Sequence, residues 1–117
     1  MLYTILILSL FLGNSDSILI NPEKVDFGTI DSVSEKNILI YNTSDNEIIV
    51  YDALASCGCV SVKFKDHIIP PNDKITLTIK CDASKIKSGK FEQSIYIITS
   101  SEKNPIKIPI IGFVTTR

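Results

Sequence analysis

The chain has 117 residues, with 12 Lys and Arg against 13 Asp and Glu, a formal net charge of -1, and 44% hydrophobic residues. That length fits one domain, and the composition is globular rather than disordered. A charge so near zero gives no electrostatic basis for binding nucleic acid or an anionic membrane surface, and the lack of Trp argues against an aromatic carbohydrate platform.

The chain opens on an apolar run (Leu2, Ile5, Leu6, Ile7, Leu8, Leu10, Phe11, Leu12) that stops at Gly13-Asn14. About a dozen apolar residues are too few to span a bilayer and match the hydrophobic region of a signal peptide. Ser15 and Ser17 supply small residues for cleavage before Ile18, although no Lys or Arg precedes the run where positive charge is usual. The expectation is a leader over residues 1–17 and a domain over 18–117. The product is exported, periplasmic or extracellular, with no membrane span once the leader is removed. No Cys follows the apolar run to carry a lipid anchor.

Ile18-Leu19-Ile20 reads as a short strand closed by Asn21-Pro22. In Val25-Asp26-Phe27-Gly28-Thr29-Ile30, Val25 and Phe27 share a face, and Gly28 predicts a bulge or a switch between sheets. Asp31 to Glu35 reads as a polar turn, and Asn37 to Tyr41 as the next strand. Asn42-Thr43-Ser44-Asp45-Asn46 is a run of turn formers; its first three residues are also a glycosylation sequon, for which turn chemistry is the preferred explanation. Ile48 to Tyr51 reads as a central strand. After the cysteine stretch, Val60, Val62 and Phe64 alternate with polar residues. Ile69-Pro70-Pro71-Asn72-Asp73 is a rigid turn in which Asn72 can take the left-handed conformation.

Ile75, Leu77 and Ile79 then alternate with Thr76, Thr78 and Lys80. Lys85, Lys87 and Lys90 belong to a basic, solvated connection. Phe91 to Thr99 and Ile106 to Ile110 complete the strands, and Pro109, lacking a ladder donor, predicts an edge or a bulge for the last one. No segment shows a helical period. Short strands every ten residues or so predict an all-β, immunoglobulin-like Greek-key sandwich of about seven strands.

Several of these segments carry a resemblance. Val25-Asp26-Phe27-Gly28-Thr29-Ile30, Asn42-Thr43, Ser56-Cys57-Gly58-Cys59-Val60, Ile69-Pro70-Pro71-Asn72-Asp73, Gly89-Lys90-Phe91 and Ile110-Ile111-Gly112-Phe113-Val114 occur in one order. In that order they resemble the landmarks of the bacterial domain of unknown function 1573. The resemblance covers Ile20 to Val114. It implies an exported immunoglobulin-like domain, akin to Hydin-type and major-sperm-protein-like modules, with no agreed activity. Asn72 stands where that family usually has Gly, and Cys81 is additional.

The cysteines are the only reactive cluster. Cys81 continues the apolar row of Ile75, Leu77 and Ile79, which predicts a buried structural thiol. Cys59 falls in the row of Ser61 and Lys63, and with Cys57 predicts a pair facing solvent or a groove. Three readings stay open. Cys57 or Cys59 bridges to Cys81, leaving one free thiol. Alternatively, Cys57 and Cys59 present two sulfurs to a soft metal, copper or zinc, with His67 as the third ligand available. Finally, the pair cycles between dithiol and disulfide, though no helix N-terminus lowers a thiol pKa here.

No hydrolytic triad, carboxylate pair or phosphate loop is present in the sequence. The expected function is therefore non-catalytic: a binding or scaffolding module whose partner is another cell-envelope protein. The alternative is a small thiol protein acting through Cys57 and Cys59.

Overall fold

The computed structural model describes residues 18–101 and 104–115. The predicted leader, residues 1–17, lies outside them.

Nine strands are described: β1 (Ile18–Asn21), β2 (Val25–Ile30), β3 (Val33–Asn42), β4 (Ile48–Ala55), β5 (Val60–Lys63), β6 (Ile68–Ile69), β7 (Lys74–Asp82), β8 (Gly89–Thr99) and β9 (Ile106–Val114). They form a four-stranded sheet in the order β1-β3-β7-β5 and a five-stranded sheet in the order β2-β9-β8-β4-β6. The first has the A-B-E-D order of immunoglobulin domains, and β4, β8 and β9 take the C, F and G places. Every pairing is antiparallel except that of β2 with β9.

Strand alternation builds the core. Ile38 and Ile40 of β3, Leu77, Ile79 and Cys81 of β7, Ile95 and Ile97 of β8, and Ile108 and Ile110 of β9 are wholly buried between the sheets. Each isoleucine removed from water in this way contributes roughly 1.5–3 kcal/mol, and its β-branch suits the pleated surface.

The sequence-based outline holds with four corrections. The strands number nine rather than about seven, partly because β6, two residues long, pairs with the start of β4 where a turn was expected. Of the expected turn from Asp31 to Glu35, only Asp31 and Ser32 lie between strands; Val33 to Glu35 are the start of β3, held in register by β7 as far as Val33–Asp82. The bulge at Gly28 is present (φ 67), with the register against β9 shifting between Asp26 and Thr29. The switch between sheets, however, occurs earlier, at the cis peptide Asn21–Pro22. The last strand is not an edge: β9 lies between β2 and β8. Pro109 is tolerated because β2 joins β9 only from Ile110 onward, so no neighbour asks for its missing donor.

Candidate functional site

The Ser56-Cys57-Gly58-Cys59 stretch is the corner at which the chain leaves β4 in one sheet and enters β5 in the other. Hydrogen bonds fix both ends of the corner. The Ser56 N–H donates to Ser94 O at 2.9 Å. Ser56 Oγ lies 2.6 Å from Gln93 Oε1 and accepts from the Ser94 N–H at 2.9 Å. On the far side, the Asp82 N–H donates to Cys59 O at 2.9 Å, extending the β5–β7 ladder by one step.

Within the corner, Cys57 and Cys59 are joined by a disulfide with a Cα–Cα separation of 5.3 Å, and Cys81 is a free, buried thiol. Neither bridge to Cys81 is formed. Cys81 faces the core as predicted, but Cys59 does not face solvent: it is 6% exposed, and Cys57 packs half-buried against the same core. Strand parity misplaces Cys59 because the chain is still turning there and joins β5 only at Val60.

Burial pushes the Cys81 thiol pKa up, and the nearby Asp82 charge adds to the effect. Cys81 therefore stays protonated and is a poor nucleophile toward its neighbours. Asp82 itself is held below the usual carboxylate range by hydrogen bonds from the Ser84 side chain and backbone. Sulfurs tied in a disulfide are not thiolate ligands. β5 carries the chain roughly 13 Å from the cysteines toward His67. His67 is exposed; its ring lies against Phe64, with centroids 4.8 Å apart, and its Nδ1 is 3.2 Å from Val50 O. Among the described residues no group of three or more His, Cys, Asp or Glu converges.

The corner thus acts as a clasp. A disulfide closing a three-residue loop removes little chain entropy, about 1.6 kcal/mol, against about 3.5 kcal/mol for a bridge to Cys81. Reduction, or replacing both Cys57 and Cys59 with Ser, is expected to lower unfolding stability by no more than about 2 kcal/mol. Alkylation followed by mass analysis should modify no thiol in the native protein and one, Cys81, after denaturation. Labelling of Cys57 in the native, unreduced protein would remove the clasp.

The apolar surface lies elsewhere. Ile49 and Ile68, cross-strand partners of β4 and β6, are 36% and 48% exposed. On the same outer face, Leu54 of β4 is 50% exposed and sits opposite Tyr96 of β8. Tyr51, in the β4 bulge, is 58% exposed.

Comparison with known proteins gives the chain its family. The sequence model described as "Protein of unknown function (DUF1573)" matches residues 18–114. The chain is a member of the DUF1573 family. No curated protein sequence matches it. Among solved structures, a protein of unknown function from Porphyromonas gingivalis W83 is similar, with TM-score 0.76, 16% identity, and 82% of this chain and 46% of that one covered. The chain therefore spans about half the length of that protein. The PapD-like domain 7 of human CEP192 aligns with TM-score 0.70 and 11% identity over 88% of both chains. The Pseudomonas aeruginosa CupB2 chaperone aligns with TM-score 0.57 and 14% identity over 79% of this chain and 54% of that one. At these identities the likenesses establish the fold alone.

The DUF1573 landmarks can now be placed. Three of them meet at the junction of β2, β9 and β8: Gly28 forms the bulge, with its N–H accepted by Asp26 Oδ1 at 2.8 Å, and Phe91 lies opposite Gly112. A Cβ on Gly112 would sit 2.6 Å from Phe91 Cζ and 3.1 Å from Gly28 O. Asn72 takes φ 58, the left-handed conformation expected of it. Asn42 does more than form a turn. It is buried, and its Nδ2 donates to Asn46 O at 2.7 Å, Ile69 O at 2.9 Å and Pro70 O at 3.1 Å. Its Oδ1 accepts from the Ser44 N–H and Oγ. An amide so engaged has no place for a glycan. The sequence reading missed this clamp and the outer apolar face, because both depend on which strands become neighbours.

Proposed function

We propose that this DUF1573 domain is an exported, non-catalytic module that binds another protein of the cell envelope. The observation that carries this reading is the apolar outer face of β6, β4 and β8. Ile49, Tyr51 and Leu54 of β4 and Ile68 of β6 lie on two adjacent strands, with Tyr96 of β8 beside Leu54, and no element of the described chain lies over them. Exposed apolar side chains grouped in this way mark interaction surfaces. Export is supported by the Cys57–Cys59 disulfide, a bond that persists in oxidising compartments, and by the apolar start of the sequence. The likeness to a chaperone fold agrees with a protein-binding role.

Immobilised protein and a Leu54→Asp/Ile68→Asp variant, both with native circular dichroism, would be challenged with a cell-envelope extract. A specific protein should be retained by the first and lost from the second. Equal retention by both would end this reading of the outer face.

A further inference from the structure

The sandwich is not sealed along its whole length. β1 belongs to the four-stranded sheet, the chain crosses to the other sheet at Asn21–Pro22, and β2 reaches β9 only at Val25–Ile110. Residues Ile106 to Pro109 therefore have β8 on one side and, among the described residues, no strand on the other. A groove of about 570 Å³ follows this seam between β1 and β9. Ile18 and Ile20 form one wall and Ile106 and Ile108 the other, with Glu23, Lys24 and Lys107 at the rim.

The main chain along the groove has a defined polarity. Ser94 directs its N–H and C=O toward Ser56, away from β9, so the Ser94–Pro109 pair is not hydrogen-bonded. By the alternation of an antiparallel ladder, Lys107 and Pro109 then turn their main-chain groups away from β8, into the groove. Lys107 offers an N–H and a carbonyl; Pro109 offers a carbonyl alone. The open edge of β4 differs, because the Asp52 carboxylate takes up the outward Ala53 N–H at 2.8 Å, a charged block of the kind that prevents strand pairing.

We propose that the seam receives an extended segment of a partner protein, added as a strand along Ile106–Pro109. Alternate apolar side chains of that segment lie against the half-buried Ile20 on one side and Ile106 on the other, over Ile18 and Ile108, which are already buried beneath them. Unpaired backbone donors and acceptors are satisfied by a strand and not by a helix, whose own groups are already bonded. Two lysines against one glutamate at the rim favour acidic residues flanking the apolar ones. The site rests on the binding-module reading and adds to it the conformation and chemistry of the partner.

The probe is a labelled seven-residue peptide of alternating isoleucine and threonine between two glutamates, titrated into the protein by fluorescence anisotropy. A second peptide carries N-methyl groups on alternate amides. Saturable binding is expected of the first, and affinity at least about ten-fold weaker of the second. Lys107→Pro removes the one N–H on the open edge at a side of β9 where Pro109 already sits. It should weaken the first peptide about ten-fold, while Lys107→Ala, which keeps the N–H, should change affinity much less. If Lys107→Pro fails to fold, the methylated peptide decides the matter on the unaltered protein. Absent binding, or equal binding of both peptides, overturns strand addition. So does a dimer that Lys107→Pro dissociates, since a second copy would then fill the seam. Loss of the seam result with continued capture through Leu54 and Ile68 would leave the binding module standing. Peptide binding without such capture would confine binding to the seam.

Discussion

Replacing Asn42 with Ala is expected to lower unfolding stability by about 3–4 kcal/mol, the largest effect of any polar substitution in the domain. The side chain joins three pieces of chain: the loop after β3 through Asn46, β6 through Ile69, and the proline turn through Pro70. Its own N–H donates to Asp73 O at 2.8 Å. Truncation leaves the Ile69 carbonyl with its buried partner gone and opens a void where the amide stood, so the desolvation cost and the lost bonds add. Asn42→Asp is the sharper variant. A carboxylate cannot donate, and it would face three carbonyl oxygens. Its pKa in the folded state would rise, so the variant should gain stability on acidification as protonation restores one donor. Urea titrations at neutral and mildly acidic pH test both statements. A cost below about 1 kcal/mol for Asn42→Ala would show that the clamp is dispensable.

Gly112→Ala is expected to cost about 1–3 kcal/mol by overpacking. The new methyl would lie 2.6–2.7 Å from the Phe91 ring and 3.1 Å from the Gly28 carbonyl, which belongs to the bulge and has little room to move. Phe91 is buried, so its ring cannot simply swing into water. The paired variant Gly112→Ala/Phe91→Leu relieves the ring contact and should be more stable than the sum of the single effects predicts. A coupling of about 1 kcal/mol or more in a double-mutant cycle is the expected signature. Strict additivity would mean that the glycine serves the backbone and not the ring.

Much of this architecture is legible one strand at a time. The row Ile75, Leu77, Ile79 and Cys81 places Cys81 in the core, and all four are buried. Gly28 and Asn72 announce unusual backbone, and both have positive φ. What cannot be read locally depends on neighbours that are distant in sequence. β6 is too short to show a pattern and exists because Ile68 and Ile69 find β4. Pro109 looks like an edge residue and does face an open edge, but only for the half of β9 that β2 does not cover. Asn42 reads as a loop residue because the partners of its side chain lie as much as 28 positions away. The cysteines were the clearest chemical signal, yet their pairing was open, since it depends on how a corner between two sheets turns.

The pairing of the second strand with the last one sets the timing of folding. Ile30 O accepts the Thr115 N–H at 3.1 Å, and these two residues are 85 positions apart. Among the described strands β2 pairs with β9 alone, so a growing chain keeps both β2 and β8 without their shared neighbour until β9 is made. Contacts of such long range form late and slowly. For a protein proposed to cross a membrane before it works, that lateness is an advantage: a translocating chain must still be unfolded, and this one cannot close its sandwich until β9 has been made.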